Sequence, residues 1–189
     1  MQHPVFPLYS AFLALPLEQK AKWQFQALQE ELRPFEDIFS FQNPQSPHLT
    51  LYFWQELSPI EYRQIMGQAA AIAARSKPFT LAVTGVGTFG KPGEERVLFL
   101  TVAFSPELAV LKKLCPWPNP PQAREFSPHI TIARILHPQK FAVHRKKIMK
   151  ACEGIAFSME ATMLRFYAEQ HGVKQVPLED FSFGAELPQ

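Results

Sequence analysis

Ser46-Pro47-His48-Leu49-Thr50-Leu51 returns in the second half of the chain as Ser127-Pro128-His129-Ile130-Thr131-Ile132. Each copy reads as the start of a β-strand entered through a proline. Side chains alternate along a strand, so His48 and Thr50 share one face while Leu49 and Leu51 share the other. His129 and Thr131 divide from Ile130 and Ile132 in the same way. The aliphatic face anchors each strand in a core, and the opposite face presents an imidazole and a hydroxyl about 6–7 Å apart along the strand. The repeat is too short for a solenoid and suits two related halves, each presenting one equivalent strand.

The rest of the chain can be read outward from these strands. Leu8–Leu15 is a mostly apolar run of strand length closed by Pro16, and residues 17–32 alternate apolar with Lys, Gln and Glu positions as an amphipathic helix stopped by Pro34. A short strand near Asp37–Gln42 leads into the turn Asn43-Pro44-Gln45-Ser46-Pro47. After the strand His48–Trp54, Ser58 and Pro59 open a helix that runs to about Arg75. Phe79–Thr88 and Arg96–Phe104 read as a hairpin across Gly90 and Gly93. A helix over residues 105–114 follows, then a proline-rich loop at Pro116–Pro121. The strand Pro128–Ile135, a helix over 138–152 and a hairpin from Ala156–Tyr167 to Gln175–Phe183 complete the chain. Hairpins and short connections favour an α+β fold with antiparallel sheets over a doubly wound parallel one. The 189 residues suit a single unit of two lobes sharing a central cleft.

If the two His strands face one another, the cleft holds two imidazoles and two hydroxyls. That set meets the needs of phosphodiester hydrolysis. A neutral imidazole takes a proton from water and a protonated one gives a proton to the leaving oxygen; near neutral pH both forms are accessible. Thr50 and Thr131 can donate hydrogen bonds to non-bridging oxygens where charge builds in the transition state. Nothing in the sequence resembles a metal-ligand cluster, so no metal and no cofactor is expected.

At these residues the sequence resembles the two-histidine (2H) phosphoesterase superfamily, and more narrowly the bacterial 2′-5′ RNA ligase family, whose members are also described as RNA 2′,3′-cyclic phosphodiesterases. Phe12-Leu13-Ala14-Leu15-Pro16 is similar to the family's first strand, and His48-Leu49-Thr50-Leu51-Tyr52-Phe53 to its first motif. Thr88-Phe89-Gly90 with Arg96-Val97-Leu98-Phe99-Leu100 resembles its central hairpin, and Phe126–Arg134 its second motif. The resemblance implies a two-lobed α+β structure with antiparallel sheets, helices on the outer faces, pseudo-twofold symmetry and a central cleft. It also implies opening of a 2′,3′-cyclic phosphate at an RNA end to a 2′-phosphate, with 2′-5′ joining as the reverse. By that analogy His48 donates to the leaving 3′ oxygen and His129 activates water, although the near-symmetry leaves the assignment open. The chain departs from the family at Ser10-Ala11, where an Arg is usual, and at Trp54-Gln55 in place of Leu-Gly.

Other residues carry weaker signals. Tyr52 and Trp54 share parity with His48, so Tyr52 is a candidate for stacking a base, and Phe89 in its glycine hairpin is another. Trp54 is as readily a packing residue. Arg134 falls on the face opposite His129 by ideal alternation and would reach the phosphate only through a bulge or strand end. His3, His137, His144 and His171 read as structural, and the run His144-Arg145-Lys146-Lys147 with Lys150 as a solvated helix face. A net charge of +2 excludes a polycationic nucleic-acid binder and leaves room for a local site on RNA ends or cyclic nucleotides. Two cysteines outside any CxxC motif fit a reducing cytoplasm. The apolar stretch Val5–Leu17 is too short to span a bilayer and is broken by Pro7 and Pro16, so neither a membrane partner nor a protein partner is expected. Two alternatives share the cleft: a phosphodiesterase cutting linear 2′-5′ oligonucleotides, and a non-catalytic RNA- or nucleotide-binding module.

Overall fold

A computed structural model describes residues 4–117 and 125–185. Nine strands and four α-helices follow one another as β1 (Leu8–Pro16), α1 (Gln19–Glu31), β2 (Phe39–Phe41), β3 (His48–Leu57), α2 (Pro59–Arg75), β4 (Phe79–Phe89), β5 (Val97–Val102), α3 (Pro106–Leu114), β6 (His129–Ile135), α4 (Pro138–Ala151), β7 (Phe157–Ala161), β8 (Met163–Gln170) and β9 (Val173–Ser182). A 3₁₀ segment, Arg33–Ile38, joins α1 to β2. Three of the four α-helices, α1, α2 and α3, start where a side-chain oxygen accepts from a free N–H. Ser58 and Glu61 form a reciprocal capping box on α2, and Ser105 caps α3 with Pro106 behind it.

All pairings are antiparallel, and the strands form one curled sheet in the order β7-β4-β5-β6-β3-β1-β8-β9, with β2 beside β6. The midpoint of that order is the β3–β6 junction, the two strands that open with His48 and His129. One lobe holds β1, β3, β8 and β9, and the other β4, β5, β6 and β7. The chain passes twice through strand–helix–strand–helix–strand, as β1-α1-β3-α2-β4 and β5-α3-β6-α4-β8. In each pass the first two strands pair together, while the third crosses to the first strand of the other pass: β4 beside β5, and β8 beside β1. This is the pseudo-twofold arrangement that the sequence led us to expect.

The main core lies between one face of the sheet and the helices. Leu13, Leu15, Leu49, Ile130, Ile132 and Phe166 are among its fully enclosed members. Burying each such side chain contributes roughly 1.5–3 kcal/mol. Phe12, Ala14 and Tyr167 form a separate small cluster on the other face.

Residues 156–167 differ from the single strand expected. The run divides at Thr162 into β7, which pairs with β4 in one lobe, and β8, which pairs with β1 in the other. Thr162 marks the change of partner, and its carbonyl accepts from the Phe183 N–H. The short strand expected near Asp37–Gln42 is confined to Phe39–Phe41. Most of the proline-rich loop lies outside the described residues.

Candidate active site

The site grows from one pairing. Leu49 stands opposite Ile130, and β3 and β6 pair there. Continuing that antiparallel register sets His48 across from Thr131 and Thr50 across from His129. Directly opposed residues point to the same face, and neighbouring strands run about 4.8 Å apart. The two imidazoles and two hydroxyls therefore occupy a patch of phosphate-ester size, each His beside the other motif's Thr.

Both rings are held alike. His48 Nδ1 lies 2.8 Å from the Ser46 carbonyl, and His129 Nδ1 lies 2.8 Å from the Ser127 carbonyl. A carbonyl only accepts, so Nδ1 carries the proton in each ring and Nε2 is the nitrogen left for chemistry. The Ser-Pro entries are themselves pinned: the Pro47 carbonyl accepts from Leu17 N–H and the Pro128 carbonyl from Val102 N–H.

The surroundings break the symmetry. His48 is only 8 % exposed and stacks on Phe12 at 4.6 Å, with Tyr167 at 5.1 Å. Burial pushes its pKa down to about 4, against the Ser46 hydrogen bond, and the nearby His129 adds to the depression. His129 is half-buried and packs edge-to-face with Phe89, ring centres 4.8 Å apart, and with Phe99 at 5.3 Å. Phe89 and Phe99 stack at 4.1 Å, and Phe99 lies over Gly87, where a Cβ would come within 2.8 Å of it. Phe89 is thus brought to the site, as its sequence context suggested.

Tyr52 is not. The β1–β3 register slips between Leu13 and Ala14, so Tyr52 pairs with core residue Leu13 and turns to the helix-covered face. There it packs with Trp54 and Trp117 and is 7 % exposed. Simple alternation fails because a β-bulge adds a residue after Thr50. The same bulge carries Phe53 to the cleft face, opposite Phe12, where it is 47 % exposed.

An equivalent bulge lies in β6. The β5–β6 register slips between Leu98 and Phe99, leaving Ile132 and Ala133 both buried and Arg134 exposed. Arg134 pairs with Val97, which pairs with Phe89, so Arg134 shares the cleft face by the bulge rather than by alternation. Phe53 and Arg134 are counterparts across the dyad.

Three further neighbours leave no local trace in the sequence. Phe12 and Tyr167 enclose His48, and the Tyr167 hydroxyl is buried. Arg165 lies in register with Ala14, itself opposite Thr50, and holds Asp180 through contacts of 2.5 and 2.6 Å. Tyr167 and Arg165 come from β8, far along the chain from the motifs, and only the exchange of third strands brings them in. Among the described residues no group of three or more His, Cys, Asp or Glu gathers as a metal cluster. His137, His144 and His171 lie away from the site, His3 lies outside the described residues, and Arg145 pairs with Glu95.

A single antiparallel sheet with a dyad between two His-x-Thr strands defines a two-histidine phosphoesterase fold. The chain belongs to the 2′-5′ RNA ligase superfamily, whose family model matches residues 16–171. It is similar to the RNA 2′,3′-cyclic phosphodiesterase of Geobacillus stearothermophilus, at 30 % identity over 128 residues, covering 65 % of this chain and 41 % of that one. The corresponding protein of Methanothermobacter thermautotrophicus is 24 % identical over 133 residues, covering 68 % of this chain and 72 % of that one. Among solved structures, TT0787 of Thermus thermophilus aligns over 94 % of this chain and 100 % of its own with a TM-score of 0.71 at 22 % identity. E. coli LigT in apo form aligns over 94 % and 98 % with a TM-score of 0.67 at 22 % identity. These two likenesses establish the shared fold.

Proposed function

We infer that the protein is a phosphodiesterase that opens 2′,3′-cyclic phosphates at RNA ends or on nucleotides. The observation carrying this reading is the pair of Nδ1-anchored imidazoles set diagonally with two threonines across the β3–β6 junction. The names of the two curated relatives support it, and E. coli LigT has been crystallised with 3′-AMP.

The cyclic phosphate sits over the patch with its non-bridging oxygens accepting from Thr50 and Thr131. One Nε2 removes a proton from water as its oxygen attacks phosphorus. The other Nε2–H protonates the 3′ oxygen as the P–O3′ bond breaks, leaving a 2′-phosphate and a free 3′ hydroxyl. Burial between Phe12 and Tyr167 keeps His48 neutral in the free protein, which favours it as the base. His129 is then the acid, the reverse of the order the family resemblance implies. The exposed Phe53 ring offers a stacking surface, and Arg134 offers charge and planar donors. Joining into a 2′-5′ linkage uses the same groups, with an RNA 5′ hydroxyl taking the place of water as the nucleophile and the 3′ oxygen leaving as before. The two free thiols, Cys115 and Cys152, suit a reducing compartment such as the cytoplasm. No described helix is long and apolar enough to cross a membrane.

The test is phosphorus NMR of an oligonucleotide ending in a 2′,3′-cyclic phosphate, incubated with the wild type, His48→Ala and His129→Ala. Conversion to the 2′-phosphate by the wild type alone is expected. No conversion by the wild type, or equal conversion by both variants, would overturn the reading.

A further inference from the structure

The two bulges leave a common difficulty at their carbonyls. The Leu49–Ile130 register, continued outward, sets Leu51 opposite Pro128 and Ile132 opposite Pro47. Neither proline has an N–H to donate. A buried carbonyl must find a donor elsewhere. Both do, and from equivalent places. Lys112 of α3 donates from Nζ to the Leu51 carbonyl at 2.6 Å. Gln29 of α1 donates from Nε2 to the Ile132 carbonyl at 3.2 Å, alongside the Gln42 backbone N–H at 2.9 Å.

Each donor also holds the approach to the opposite motif. The Lys112 ammonium lies over the Phe126 ring at 4.9 Å, one residue before Ser127, and over the Tyr52 ring at 5.1 Å. Gln29 donates to the Gln42 carbonyl at 2.9 Å, in the turn that leads to Ser46. Lys112 is half-buried and Gln29 is 8 % exposed, so neither contact is a solvated surface bond. Burial presses the lysine pKa downward, and the Leu51 carbonyl and the two aromatic faces are the groups that receive the ammonium there.

We propose that Gln29 and Lys112 are positioning residues for substrate recognition: each clamps the bulge in the other pass's motif and thereby aims Arg134 and Phe53, respectively, into the cleft. The helix of the first pass sets the second motif, and the helix of the second pass sets the first. The proposal rests on the reading of the cleft as a nucleotide site in which Phe53 and Arg134 meet the base.

The experiment is a double-mutant cycle read on two substrates, a nucleoside 2′,3′-cyclic phosphate and ribose 2′,3′-cyclic phosphate, which has no base. Lys112→Met should raise KM for the nucleotide roughly 10-fold with kcat within about 3-fold, and leave the base-free substrate nearly unchanged. The effect should not add to that of Phe53→Ala, and Lys112→Arg, which keeps a donor, should restore KM. Gln29→Met should couple in the same way to Arg134→Ala and not to Phe53→Ala. Additive effects, or equal losses on both substrates, would mean that the contacts only hold the fold, and would overturn the proposal. If the wild type turns over neither substrate, the functional reading fails by itself. The clamps are then judged by amide hydrogen exchange. Faster exchange within residues 49–54 for Lys112→Met and within 130–135 for Gln29→Met supports them; unchanged exchange refutes them.

Discussion

Two chemically identical imidazoles become different groups through their neighbours. His48 lies under Phe12 and Tyr167, and its pKa of about 4 is a statement about stability as well as reactivity. The unfolded chain holds a proton at this residue up to about pH 6.5 that the folded chain gives up, so the contribution is complete above pH 6.5 and is lost as pH falls towards 4. The loss amounts to about 3 kcal/mol at most. Urea unfolding at pH 7.5 and pH 4.5 should show this slope in the wild type and a weaker one in His48→Gln. Replacing either Thr50 or Thr131 by Val removes one donor to the developing charge. We expect a fall in kcat of about 10- to 100-fold, with little change in melting temperature, measured as steady-state turnover of a cyclic nucleotide. The four motif residues were legible because the sequence states them twice in the same strand-like setting. Phe12 and Tyr167 were not, since nothing local in Leu8–Pro16 or Met163–Gln170 records that the two strands will lie side by side.

At the level of the strand, alternation is a sound guide for two residues and then fails. It places His48 with Thr50 and His129 with Thr131, but it also places Tyr52 with His48. The bulges after each threonine reverse the parity, and they are hard to see in the sequence because Leu51-Tyr52 and Ile132-Ala133 are all compatible with burial. The one readable clue is that both copies follow their threonine with two adjacent residues fit for a core, one more than strict alternation needs. The β4–β5 pair depends on absence of a side chain instead. Gly87 gives Phe99 room to lie flat, and Phe99 in turn supports Phe89 and His129. Gly87→Ala should push Phe99 off this position, at a cost of about 1 kcal/mol in stability. Turnover should fall more than the stability loss explains; a variant equally active after correction for folded fraction would show that the aromatic stack is incidental.

On the scale of the molecule, the two passes cannot be separated along the chain, because each lends its third strand to the other. Thermal unfolding should therefore be a single transition, with the tryptophan fluorescence of a Trp23→Phe variant, which leaves Trp54 and Trp117 in one lobe, coinciding with far-ultraviolet dichroism of the whole. Two resolved transitions would mean that the lobes fold independently. The sequence reading of a two-lobed α+β fold rested on a repeated hexapeptide and on hairpin-length connections; which strands change lobes follows from pairing, which no local pattern encodes. The strand exchange also bears on ancestry. One pass alone, β1-α1-β3-α2-β4, would leave its last strand without a neighbour and its first with an open edge. Two copies of such a half-length chain could satisfy both by trading last strands, giving a swapped homodimer with one His-x-Thr strand from each subunit. Joining the two genes end to end would turn that dimer into a single chain, and each half would then be free to hold a different residue at equivalent positions, such as Phe53 and Arg134.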